Sequence, residues 1–95
     1  MEELKSRLEM GKDEIAALYR QRDIVTEQAR NMNRAENWDL ADSFMALADY
    51  YQDVIDELIY EACEIDAEIR RLETEAALEQ IKAYTDAVLQ QLAAL

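Results

Sequence analysis

No proline interrupts this 95-residue sequence, and Gly11 is its only glycine. Without those two residues little in the chain stops a helix or enforces a tight turn, which disfavours a many-turned β fold and suits long helices. Histidine is absent. With it go the usual general base, the commonest zinc ligand and the Glu-x-x-His pairs of di-iron helical bundles. The lone Cys63 cannot build an intramolecular disulfide framework, a usage that fits a reducing cytoplasm. No apolar run approaches the ~18 residues of a membrane span, and the opening MEELKSRLEMGKDE lacks the apolar centre of a secretory signal. One glycine cannot make a phosphate-cradling loop.

Positive charge is also scarce: 10 Lys and Arg stand against 22 Asp and Glu, for a net charge of −12. Direct nucleic-acid binding rests largely on cations that neutralise phosphates, so it is not expected, and neither is docking on an anionic membrane. What the chain does have is apolar residues, 51%, and charged ones, 34%, at a length that allows one small domain with a modest core. Its organising stretch runs from Ala35 to Ile69, AENWDLADSFMALADYYQDVIDELIYEACEIDAEI. That stretch carries 11 of the 22 acids and no Lys or Arg.

Hydrophobic spacing defines the helices. From Leu4 the positions Leu4, Leu8, Gly11, Ile15, Leu18, Arg22, Val25, Ala29 and Met32 step by four and three, an unbroken heptad seam with two anomalies. The phase passes through Gly11 unchanged, so one helix is expected there, with the glycine allowing a close approach or a slight kink. Arg22 reads as a long side chain snorkelling past its neighbours, paired in an antiparallel hairpin with Asp42 or Asp49. The convincing turn is NMNRAEN, residues 31–37. Asn31 is expected in the left-handed conformation that ends a helix, and Asn33 with Glu36 has capping-box spacing. Helices joined by so short a link lie antiparallel.

A second seam follows at Ala41, Phe44, Ala48, Tyr51, Ile55, Leu58, Ala62, Ile65, Ile69 and Leu72. Trp38, Leu40, Met45, Leu47, Val54 and Ile59 flank its first half, an apolar arc broad enough to touch a second neighbour and a candidate oligomer interface. A third stripe, Leu78, Ile81, Thr85, Val88, Leu92 and Leu95, is two residues out of phase, and two residues turn a helix by about 200°. Either the chain breaks near Glu73–Ala77, with Thr74 capping a new helix that folds back, or a long rod carries the stripe to another partner. Fold-back avoids the cost of association and is the expectation. The fold class is therefore all-α: one helical domain with a coiled-coil-like antiparallel hairpin of residues 2–32 and 35–73. A shorter third helix across 75–95 completes a small bundle, and dimerisation is the other way to cover the apolar surface.

With the core positions assigned, the outer face of the second helix presents Asp42, Asp49, Tyr50, Asp53, Asp56, Glu57, Tyr60 and Glu64. Like charges three or four residues apart each cost a helix about 0.2–0.5 kcal/mol, and a chain tuned for stability alone would interleave lysines. The field has two readings: a solvated face that only keeps a small bundle soluble, as charge runs usually are, and a surface that docks on a basic face of another protein. Successive carboxylates lie roughly 4.5–6 Å apart on such a helix, near the phosphate spacing of a nucleic-acid strand. Tyr50 and Tyr60 would add apolar anchors with polar tips. In size and composition the chain resembles the small acidic inhibitors, many of them phage-encoded, that occlude nucleic-acid-binding sites, DNA mimics and some anti-CRISPR proteins among them. That resemblance implies a regulator with a protein partner; the missing residue types add the expectation of a non-enzymatic chain with no cofactor or metal.

Two other readings use different residues. A self-assembling coiled-coil adaptor or scaffold would use the Trp38–Ile59 arc. Glu36-x-x-Asp39 and Glu61-x-x-Glu64 are similar to the acidic spacings of MazG-type nucleotide pyrophosphatases, which hold Mg²⁺ in a helical bundle. Asp13, Glu14 and Glu27 do not supply the matching glutamate cluster that such a family needs on its first helix. Cys63, set among carboxylates, reads as a tolerated outer residue rather than a nucleophile.

Overall fold

A computed structural model of the chain describes residues 1–95. The protein is all-α, with helix α1 over Glu2–Arg34, helix α2 over Trp38–Ala93 and no strand. The helices run antiparallel: midway along the hairpin Arg22 reaches Gln52, and near the open end Lys5 meets Glu73 at 3.7 Å. The result is a rod. Its radius of gyration is 24.6 Å, where a compact chain of this length would have about 12.5 Å. The 56 residues of α2, rising about 1.5 Å each, account for most of the 89 Å length. Neither helix is long and apolar enough to cross a membrane.

The expected third helix does not form. α2 continues without a break through Glu73–Ala77, where no Gly or Pro interrupts and Glu and Ala are strong helix formers. Arg71 also staples the region. It donates to Glu68 on one side and to Glu75 Oε1 at 2.6 Å on the other, tying together the turns that a fold-back would separate. Thr74 is an interior helical residue rather than a cap. The chain is thus a hairpin with an overhang, not a three-helix bundle.

The link is also built differently from the expectation. Asn31 lies inside α1, and the left-handed residue is Glu36, at φ 59°. The Asn37 amide donates to Met32 O at 2.9 Å and the Glu36 amide to Asn33 O at 3.0 Å, the paired hydrogen bonds of a Schellman ending. Asn37 then opens α2, its side chain accepting from the Leu40 amide at 3.4 Å. One residue closes one helix and caps the next, so the Asn33–Glu36 capping box is not used. The tight link moves the hairpin's pivot toward α2, which sets Arg22 opposite Gln52 rather than Asp42 or Asp49.

The two seams meet as the spacing requires. Every position from Leu4 to Met32 and from Ala41 to Leu72 in those heptads is buried or half-buried. Fully enclosed residues are few: Val25, Ala29, Ala41, Ala48, Ile55 and Ile69. The small side chains Ala29, Ala41 and Ala48 suit a close approach of the axes near the turn. Gly11 lies in a continuous α1, and a Cβ placed on it would meet nothing within 4 Å, so no close helix approach demands the glycine. Gly11 and Ala62, small on both sides, leave an open groove of about 520 Å³ in the seam. Two helices can bury only one stripe each. Trp38, Leu40, Met45, Leu47 and Ile59 therefore stay exposed, as does the tail apart from half-buried Val88.

Candidate protein-docking surface

The heptad that carries the seam also orders the outer side of α2. Asp42, Asp49 and Asp56 recur every seven residues, so they line up about 10.5 Å apart along the helix. Asp53 and Tyr60 form a second row, and Tyr50, Glu57 and Glu64 a third, both facing away from α1. All eight side chains are exposed, and they share one face. The sequence placed them together, and α2 holds them on a single rigid element.

No Lys or Arg forms an ion pair on this face. Every ion pair in the protein lies elsewhere: at Lys5–Glu73, within α1, or on α2 beyond Ile65. Asp39, Asp42, Asp49, Asp53, Asp56, Glu57, Glu61 and Glu64 have no cation within salt-bridge distance. Asp56 accepts one hydrogen bond, from Gln52 Nε2 at 2.9 Å. Gln52 in turn accepts from Arg22, so the cation at a heptad seam position reaches the acidic face only through an amide. Arg22 is held on its own helix by Asp23 at 3.0 Å and by the ring of Tyr19, 4.7 Å below the guanidinium.

The tyrosines stand out from the face. Tyr50 is 61% exposed and Tyr60 67%, values that leave most of each ring free to bury against a partner. Tyr50 leans on Tyr51 of the seam, with ring centroids 6.0 Å apart and planes tilted by 56°, which fixes its direction. Tyr60 rises from a shallow hollow among Asp56, Glu57 and Glu61.

The arc of flanking apolar residues resolves into two separate stripes. Trp38, Met45 and Ile59 recur on one side of the seam, and Leu40, Leu47 and Val54 on the other, each set seven or fourteen residues apart. Val54 is half-buried and the others are exposed. They are the shoulders of the hairpin.

The acidic pairs of the pyrophosphatase resemblance do not converge. Asp39 and Glu64 lie about 37 Å apart along α2. Asp13 and Glu14 line the same groove as Glu61, but no group of three or more acidic or cysteine side chains is spaced to hold a metal ion. Cys63 is free and exposed, in line with the Asp42–Asp49–Asp56 row.

Sequence reasoning missed four structural residues. Asn37 precedes an apolar-periodic helix start, a usable N-cap signal. Arg71 between Glu68 and Glu75 has the three-and-four spacing of a double ion pair, equally legible. Glu36 in the left-handed region and Gln52 beneath Arg22 carry no signal in the residues themselves.

Glu68 and Arg71 are the side chains with displaced titration. The Arg71 hydrogen bond, opposed by some desolvation and aided by the Arg71 charge, holds the Glu68 carboxyl below its ordinary range. Arg71 is held further above its own, first by its hydrogen bond to Glu68 and then by the charges of Glu68 and Glu75. Both groups are in the staple.

Compared with protein-family models, curated proteins and solved structures, the chain matches none of them.

Proposed function

We propose that the protein is a non-enzymatic interaction module, a small acidic inhibitor or regulator that lays the outer face of α2 on a basic, nucleic-acid-binding surface of another protein. The observation that carries this reading is the run of eight carboxylates from Asp39 to Glu64 without a single ion-pair partner, on one side of a continuous helix. Unpaired exposed acids keep a low desolvation cost and full reach for an incoming Lys or Arg, and they steer encounter electrostatically. Tyr50 and Tyr60, exposed in the free protein, supply anchors to be buried on docking, which a charged face alone lacks. The rod shape adds to this, since a two-helix hairpin with a cross-section of only 16 × 15 Å can enter a groove shaped for a nucleic-acid strand.

The test is capture of partners from bacterial lysate at low and moderate salt by wild type and by Asp49/Asp53/Asp56→Asn. The reading requires a nucleic-acid-binding protein held by wild type, shed as salt rises, and not held by the triple variant. Equal capture by both proteins at physiological salt would end it.

A second reading, a self-assembling coiled-coil adaptor, draws on a different observation: the apolar shoulders and the overhang of α2 are left uncovered. It requires loss of assembly when Trp38 or Leu47 is made polar, or when the overhang is, with little dependence on salt.

A further inference from the structure

The overhang differs from the rest of the molecule in charge as well as in packing. From Ala76 to Leu95 the only charged side chains are Glu79, Lys82 and Asp86, in a protein of net charge −12. Leu78, Ile81, Tyr84, Leu89 and Leu92 are 58–73% exposed. Leu78, Ile81 and Leu92 lie on the outer side of α2 with Tyr84 at its edge, whereas Leu89 continues the Leu40–Leu47–Val54 stripe; the heptad positions of Leu78, Ile81, Thr85, Val88 and Leu92 continue those of Tyr50, Asp53, Glu57, Tyr60 and Glu64. The outer face is thus acidic along the hairpin and apolar beyond it.

We propose that this apolar face is covered by the same face of a second copy, with the two overhangs antiparallel. Area supports a second copy. The chain exposes 7410 Å², where a folded monomer of 11.0 kDa exposes about 5,600 Å². Covering the overhang's apolar layers removes on the order of several hundred Å² per chain, approaching the about 800 Å² per partner of a standard specific interface. Charge supports it too. Two copies that each carry −12 can approach closely only where the carboxylates thin out, and the overhang is that place.

The direction follows from the shared face. A parallel pair would bring Asp53, Glu57 and Glu64 of one chain against the same residues of the other, with no cation between them. An antiparallel pair sends the two hairpins to opposite ends. The three-and-four spacing then sets the layers: Leu78 against Leu95 of the second copy, Ile81 against Leu92, and Thr85 against Val88. The dimer is a rod about 150 Å long with an acidic face at each end.

Cys63, the one cysteine and an exposed one, reports on this geometry in the native sequence. Sedimentation equilibrium should give twice the chain mass at micromolar concentration. A nitroxide on Cys63 should give a pulsed-EPR distance of about 70 Å between copies, whereas parallel pairing places the labels within about 20 Å. Ile81→Glu/Val88→Glu should weaken the dimer at least ~100-fold while leaving the helical circular dichroism of the hairpin in place, because charge enters two core layers and no monomer contact. Asp49/Asp53/Asp56→Asn should still dimerise, which separates this inference from docking on a basic partner. A monomer at every accessible concentration would overturn the proposal. So would a short label distance, or a dimer that survives Ile81→Glu/Val88→Glu and is lost with Trp38→Glu.

Discussion

Ile55 is fully enclosed at the centre of the hairpin seam, the largest side chain in the protein with no exposed surface. Ile55→Ala removes three carbons from that position. At about 0.8 kcal/mol for each buried carbon, the transfer loss is near 2.4 kcal/mol. The void adds to it, although a two-helix seam can close partly over a gap, so the expected cost is about 3 kcal/mol, within the usual span for such truncations. A chain of this length has a stability of roughly 5–14 kcal/mol, and one that encloses only six residues belongs at the low end. The variant should therefore lose about half of its margin. Urea denaturation followed by helical ellipticity, in the Ile81→Glu/Val88→Glu background so that association does not contribute, should show the midpoint falling by about 1.5–2 M with an unchanged slope. Ile24→Ala is the matched control: the same chemical change in α1 at a side chain 56% exposed. It should move stability by no more than ~0.5 kcal/mol, since the lost contacts are few and alanine is the better helix former. Equal shifts for the two variants would refute the idea that a single seam holds the hairpin together.

Three further outcomes follow from local geometry. Gly11→Ala should stabilise the protein by about 0.5–1 kcal/mol in the same denaturation assay, because the new methyl meets no neighbour and the unfolded chain loses freedom. Glu36→Gly should stabilise by about 1 kcal/mol, since glycine accepts the left-handed conformation without the steric penalty paid there by glutamate; a destabilised variant would show that the Glu36 side chain has a role of its own. The Glu68 carboxyl is lowered in the folded state, so its contribution is complete above the ordinary carboxyl value of 4.5 and is lost as pH falls through the lower folded value. Carboxyl NMR titration should place Glu68 below a free glutamate, and Arg71→Gln should return it to the ordinary range.

Much of the fold was legible because a heptad is a statement about local geometry. Leu4 to Met32 and Ala41 to Leu72 repeat at the helical period, and that period alone puts them on one side of each helix, whatever the partner. The acidic face was legible by subtraction, once Ala48, Tyr51, Ile55 and Leu58 were assigned to the core. The NMNRAEN turn was legible as a location, since three asparagines interrupt two periodic stretches. Which residue takes the left-handed conformation was not. Asn31 and Glu36 differ in intrinsic preference, and the outcome went against that preference because the Schellman hydrogen bonds from Glu36 and Asn37 must close on Asn33 and Met32 for α2 to leave at the right angle.

Tertiary structure decided the register and the fate of the tail. Arg22 meets Gln52 because the pivot of the hairpin is set by how tightly residues 35–37 turn, a quantity that spacing within either helix does not contain. The out-of-phase stripe from Leu78 onward told of a change of partner and left open whether the chain would bend to supply one. Bending would break a continuous helix at strong helix formers and undo the Arg71 staple, and α2 continues unbroken instead. Sequence thus determined which residues want cover. The covalent and hydrogen-bonded continuity of α2 determined that, beyond the open end of the hairpin, the chain itself does not provide it.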